Sequence, residues 1–353
     1  EWGSSTSERR MGEEMTDRTL RAHFPKTSVF SRRQCLREVL SAAAIASGAC
    51  ILAGDGFSEE KGKSYLPSTA SDHPQIRLGF GTYGMKSVAA VDSVKHCAAI
   101  GYDGLELCLI DGWPTSLDQL AKNGLKELHR ALLDSGLFVP SLLESLPCLR
   151  GKAAHQNNLN RMKTAVEFAR DLKQEYPPVV QSIVGGRSSD WGTHKNQLVA
   201  ELSDWAEIGQ QMGVTICFKP HASHLVSRPD QALWVLEQVG NSSLQLVYDY
   251  SHFYLEGLQL ESTLEAMLPN APYVQIKDSR RNKGGGYQYL LPGDGMTDYQ
   301  AMFRKLIESG YRGFVNVEVS SMIHRQKDYE PIATAQRCYD RLRPILSRSL
   351  NAL

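Results

Sequence analysis

From residue 76 onward, short apolar runs rich in β-branched and aromatic residues alternate with longer stretches whose apolar positions recur at helical spacing. The runs are IRLGFG (76–81), GLELCL (104–109), FVPSLL (138–143), PVVQSIV (178–184), VTICFK (214–219), LQLVYD (244–249), YVQIKD (273–278) and FVNVEV (314–319). Between them, LKELHRALLDSG (125–136) and LNRMKTAVEFARDLKQEY (159–176) place apolar residues three and four apart, which predicts helices. Gly136, Gly213 and Gly310 stand just past helical runs, where a left-handed cap is expected. Strands covered on both faces read as nearly continuous apolar runs, as these do. Eight such β-then-α units predict a single (β/α)8 (TIM) barrel over residues 75–348, with an open doubly wound sheet as the alternative. GGGYQ at 284–288 neither follows a strand directly nor opens a helix, so it does not make a dinucleotide-binding loop.

The first 74 residues break the pattern. Residues 1–30 are polar and show no sustained period, and SRRQCLREVLSAAAIASGACILAG (31–54) then sets Arg32 and Arg33 before an Ala-rich apolar stretch. That order resembles a twin-arginine export signal, so residues 1–54 are expected to direct the chain to the periplasm or another extracytoplasmic space. The apolar stretch is about 15 residues long, too short for a stable membrane span. The competing readings are a buried amphipathic helix and, at Cys50, lipid attachment, although Ser47 stands where a bulky apolar residue would be needed. Residues 55–74 are polar with Gly, Pro and Ser and read as a linker.

Charge narrows the partners. Lys plus Arg and Asp plus Glu both number 39 in 353 residues, so nothing in the overall charge draws the chain to nucleic acid or an anionic membrane. The seven cysteines are odd in number, scattered and without metal-type spacing. They read as buried small apolar residues and not as a disulfide framework.

In a barrel of this kind the chemistry sits where strands end and βα loops begin. The polar residues there are Glu106, Glu144, Lys219, His221, Asp249, His252, Gln275, Lys277, Asp278, Arg281 and Glu318. Any one of them alone reads more simply as a solvated loop residue or a helix cap. Together they gather on one rim, and Lys219, Asp249, Gln275 and Glu318 end the adjacent strands five to eight.

VYDYSH (247–252), YVQIKDSRR (273–281), PGDGMTDY (292–299), GYRGFVNVEV (310–319) and ICFKPH (216–221), in that order and spacing, resemble the sugar isomerases and epimerases with a xylose-isomerase-like barrel. The likeness spans most of residues 76–345. It implies a sugar or polyol as the small-molecule partner and a divalent metal (Mn, Mg or Zn) on Glu, Asp, His and Glu from strands five to eight. By position these are Lys219, Asp249, Gln275 and Glu318, of which only Asp249 and Glu318 are metal ligands. A protonated lysine has no lone pair, and an amide is a weaker ligand than imidazole. The expectation is therefore that no metal is required and that Lys219 occupies the ion's place. One ammonium with two carboxylates carries the same net charge as three carboxylates with a divalent ion. By the same resemblance Glu318 and Lys219 are the catalytic candidates, base and electrophile. His252, Arg281, His221 and Glu106 are candidate substrate contacts.

Two function classes follow. One is an isomerase or lyase acting on a carbohydrate by proton transfer, without the two-glutamate epimerisation that the strand-five Glu would allow. The other is a non-catalytic exported sugar-binding barrel. A homo-oligomer is compatible with both. The related DNA-repair endonucleases of this barrel type need more histidines than this rim supplies. For export, Arg32→Lys with Arg33→Lys should retain the protein in the cytoplasm, as read by cell fractionation; unchanged export would count against the twin-arginine route.

Overall fold

The computed structural model describes residues 76–352; the export signal and linker expected over 1–74 lie outside them. Eight parallel strands close a barrel: β1 (Arg77–Gly81), β2 (Gly104–Cys108), β3 (Ser141–Leu143), β4 (Val179–Ile183), β5 (Ile216–Lys219), β6 (Leu244–Tyr248), β7 (Tyr273–Ile276) and, after a hairpin, β10 (Phe314–Val317), which pairs back onto β1. All eight expected strands are present, and the closed ring rules out the open sheet. The third is shorter than its apolar run. Pro140 has no N–H for the ladder, and upstream of it Phe138 makes only an isolated bridge to Gly104. The helix expected over 159–176 runs over Lys152–Asp171, between Gly151 at φ 88° and Lys173 at φ 49°. Gly136, Gly213 and Gly310 all take positive φ where helices end.

One element lies outside the expected alternation of strand and helix. Residues 278–290 fold as an antiparallel hairpin, β8 (Asp278–Arg281) with β9 (Tyr287–Leu290), inserted between the seventh and eighth barrel strands. The glycine run belongs to its turn, with Gly285 and Gly286 at φ 91° and 73°.

Period two along each strand divides the side chains between two compartments. Outward residues such as Leu78, Phe80, Leu105, Leu107, Ile216, Phe218, Val315 and Val317 join the main core against the helices. Inward residues are layered. Cys217, Val247, Tyr273 and Phe314 form an apolar plug at the N-terminal end, where Phe138 stacks on Phe314 and the Arg77 guanidinium lies 4.1 Å from the Phe314 ring centre. Above the plug the inward positions turn polar: Glu106, Ser141, Gln181, Gln275 and Asn316 are all buried. The plug and the outer core let the interior carry that polar layer. The five described cysteines are buried and free. No helix among the described residues is long and apolar enough to cross a membrane.

Glycine on β1 keeps this interior open. A Cβ on Gly79 would meet Asn316 Oδ1 at 2.5 Å and the Gly104 carbonyl at 3.4 Å. Gly79→Ala should therefore lower the unfolding free energy by about 1–3 kcal/mol, the usual range for overpacking, as measured by urea titration. Unchanged stability would mean that the polar layer has slack.

Candidate active site

Strand polarity delivers Lys219, at the end of β5, and Asp249, Lys277 and Glu318, each one residue past β6, β7 and β10, to the same mouth. Asp249 is also the N-cap of a short helix, Tyr250–Leu255, accepting from the Ser251 N–H at 3.1 Å. That cap begins a helical turn and brings His252, three residues on, back over the carboxylate, with Nε2 3.4 Å from Asp249 Oδ2. This is the physical content of the D-x-x-H spacing.

The four charges form one cluster. Lys219 Nζ donates to Glu318 Oε2 and, at 2.8 Å, to Gln275 Oε1, and stands 3.7 Å from Asp249 Oδ2. Lys277 Nζ donates to Asp249 Oδ2, to Glu318 Oε2 at 3.1 Å and to His252 Nε2 at 3.2 Å. Two ammoniums thus share the same two carboxylate oxygens. Burial alone would raise both carboxyls. For Asp249 the opposing charge of Lys277, with His252 and Lys219, holds it well below the usual range. Lys219 and then Lys277 do the same for Glu318. Burial would lower Lys277, but Asp249 and Glu318 outweigh it and raise the ammonium. Removing one member of such a buried set commonly costs about 3–5 kcal/mol, because a partner is left uncompensated.

The tautomer of His252 follows from its partners. An ammonium only donates, so the contact with Lys277 calls for a bare Nε2 and a proton on Nδ1 facing Tyr289 Oη at 2.8 Å, whereas an Nε2 proton would face Asp249 Oδ2 at 3.4 Å. Burial, reinforced by Lys277, brings this imidazole down to about 4, so it is neutral near pH 7. His221 packs against it at a tilt of 38°, ring centres 3.8 Å apart, and stacks on His224 at 4.0 Å. Burial, then the neighbouring His252, pushes His221 well below its ordinary value.

Beneath the cluster, Gln275 links two layers. Its carbonyl accepts from Lys219 while its amide donates to both Glu106 oxygens at 3.0 Å. Tyr273 and Gln181 also donate to Glu106. Every one of these bonds suits a carboxylate, yet burial lifts Glu106 to about 7.

The structure therefore brings Lys219, Asp249, Gln275, Glu318, Glu106 and His252 into one network, with His221 packed against its edge. Arg281 lies apart, exposed on β8 and donating to the Leu255 carbonyl. Glu144 is buried on another strand end against Arg161, at 2.9 and 3.0 Å. Asp278 accepts from the Gly293 and Gly295 amides at 2.7 and 2.9 Å, which ties down the PGDG loop. Sequence reasoning gave Lys277 no role in the charge count. With it, two ammoniums balance Asp249 and Glu318, and ionised Glu106 makes the set −1. Tyr273, Gln275 and Lys277 alternate along β7 and just beyond it, so period two could have revealed the lysine. Tyr289 carried no comparable signal.

Residues 94–342 match the family described as the xylose isomerase-like TIM barrel. The chain belongs to that family. Among relatives, the xylose isomerase-like chain is 21% identical over 287 residues to fructoselysine 3-epimerase of Shigella flexneri, covering 77% of this chain and 98% of that protein. It is 25% identical over 236 residues to inosose isomerase of Halalkalibacterium halodurans, covering 65% of this chain and 82% of that protein. Among solved structures, the zinc-bound IOLI protein superposes with a TM-score of 0.64 at 20% identity, over 76% of this chain and 99% of that one.

A divalent ion does not fit the donor set found here. Lys219 offers protons and no lone pair. Asp249 Oδ2 and Glu318 Oε2 accept from ammoniums, Gln275 Oε1 accepts from Lys219, and both nitrogens of His252 are engaged. Among the described residues, no group of three or more His, Cys, Asp or Glu is placed to hold a metal.

Glu106 generates a pH prediction. An acid whose folded pKa lies near 7, above its ordinary 4.5, keeps its proton in the native state after the unfolded chain has lost it. It therefore subtracts stability as pH rises through that window, by at most about 1.4 kcal/mol per pH unit. Burial likewise raises Glu144 to about 7, but that contribution cancels when variant and parent are compared. Glu106→Gln should be less stable at every pH, since its amide meets other donors, yet should lack this decline between pH 4.5 and 7. Parallel stability–pH curves would show that Glu106 stays ionised.

Proposed function

We propose that this barrel binds a sugar or polyol at its C-terminal mouth and acts on it by proton transfer, as an isomerase or lyase, with Glu318 as the group that meets the ligand. One observation carries the reading. Glu318 keeps 11% of its side chain exposed, against 3% for Lys219, 1% for Lys277 and none for Asp249 or His252. Both ammoniums engage Oε2, which leaves Oε1 for a ligand. The sugar-epimerase and isomerase names of the relatives support the same substrate class.

In the resting cluster two ammoniums make Glu318 a weak base. A ligand carbonyl or hydroxyl that draws hydrogen bonds from Lys219 or Lys277 takes charge away from Glu318 and raises its basicity. The same ammoniums then stabilise negative charge developing on that oxygen. A single base serves a one-sided proton shift or an elimination. His221, which is not fully buried, is the candidate for direct contact with the ligand. His252 and Glu106 act from beneath, through Lys277 and Gln275. Export behind Arg32 and Arg33 belongs to the same proposal.

The second reading, a non-catalytic sugar-binding barrel, is favoured by those same two ammoniums on the one available carboxylate. Proton–deuterium exchange into the C–H bonds of a panel of sugars and inositols in D2O separates the two. Exchange that falls about 100-fold or more in Glu318→Gln is the expected result, the usual scale for loss of a general base. Calorimetric binding without exchange would establish the second reading, and exchange insensitive to Glu318→Gln would place the base elsewhere.

A further inference from the structure

We infer that Lys219 and Lys277 together form a built-in dication that fills the place of a metal ion, and that the inserted hairpin locks the second ammonium there. This rests on the location of the proposed site but on no reaction, so its test stands apart from any activity assay.

Three features of the geometry carry it. First, the two ammoniums bring two positive charges to the same pair of oxygens, Asp249 Oδ2 and Glu318 Oε2. An ion at this place would need those lone pairs. Second, each ammonium is held from its far side by a chain of hydrogen bonds. Lys219 is anchored through Gln275 to Glu106. Lys277 is anchored through His252 to Tyr289 on β9. Third, the chain from the hairpin is directional. With Tyr289 Oη accepting at 2.8 Å the proton sits on Nδ1, Nε2 is left as an acceptor, and only in that form does His252 attract Lys277. If the Tyr289 hydroxyl were absent, the imidazole would be free to put its proton on Nε2, facing the ammonium. Tyr289 is thus a positioning residue, and its ring lies 5.1 Å from Lys277 Nζ, within reach of a cation–π contact.

The substitution changes what the site offers a ligand. A metal ion accepts lone pairs, whereas ammoniums donate hydrogen bonds. The ligand class is therefore one with accepting oxygens, a carbonyl or hydroxyls, with no need to chelate.

The test uses the whole protein. Produced in medium containing Mn2+ and Zn2+, it should carry no stoichiometric divalent ion by elemental analysis. Its Tm should be unmoved by chelator or by millimolar Mn2+. Lys219→Glu with Gln275→His removes one ammonium and supplies a carboxylate and an imidazole; added Mn2+ should raise the Tm of this variant by roughly 5 °C or more through mass action. Folding of the variant only when Mn2+ is present would be the same result in stronger form. In the second arm, 15N NMR of the imidazoles should show neutral His252 with its proton on Nδ1, and Tyr289→Phe should shift that proton towards Nε2. Stoichiometric metal in the unmodified protein, or a folded double variant indifferent to Mn2+, would overturn the dication. An Nε2–H tautomer in the unmodified protein, or a tautomer indifferent to Tyr289→Phe, would overturn the lock.

Discussion

Two carboxylate oxygens, Asp249 Oδ2 and Glu318 Oε2, are shared by two buried ammoniums, and the upper half of the barrel is arranged around that sharing. Each charge alone would be costly when buried this deeply. As a set they neutralise one another, and Lys277 finds three acceptors for its three protons. The surrounding side chains complete the set from both sides. Gln275 turns its carbonyl to Lys219 and its amide to Glu106, and His252 turns a bare nitrogen to Lys277. Reversing the Gln275 amide would set donor against donor at Lys219 and acceptor against acceptor at Glu106.

The fold makes the arrangement affordable. The outward faces of the strands bury large apolar side chains against the helices, and the lower interior is sealed by Cys217, Val247, Tyr273 and Phe314. Most of the hydrophobic stabilisation is thus supplied away from the mouth, leaving inward positions on the last turn of the strands free for polar groups. Glycines at 79 and 81 leave room where Asn316 and Glu106 project. The hairpin, an insertion in the loop after β7, does what a barrel strand cannot. It carries Tyr289 from outside the ring back against His252.

This geometry bears on how a family member can diverge. A lysine at position 219 changes more than one ligand. It sets a positive charge beside Asp249 and Glu318 and takes up carboxylate oxygens that a divalent ion would need. Gln275 suits that site because its one amide both accepts from the ammonium and donates to the two Glu106 oxygens. The departures at 219 and 275 are coupled through a hydrogen bond of 2.8 Å. They are therefore read as one change in the electrostatics of the site.

By itself the sequence determined the eight strands, their order and the rim on which Lys219, Asp249, Gln275 and Glu318 would meet, because apolar periodicity and strand polarity are local properties that fix which end each residue reaches. It also determined that lysine and glutamine stand where ligands were expected, since identity needs no coordinates. The choice of partners was decided by the tertiary structure alone. Lys219 bonds to residues 56 and 99 positions away, and no local pattern ranks such contacts against one another. The same holds for the role of Lys277, for the hairpin that brings Tyr289 to His252, for the tautomer that follows, and for the exposed position of Arg281. Each depends on barrel closure, which sets distances between strands far apart in the chain, and a hydrogen bond is decided by tenths of an ångström that only the closed ring fixes.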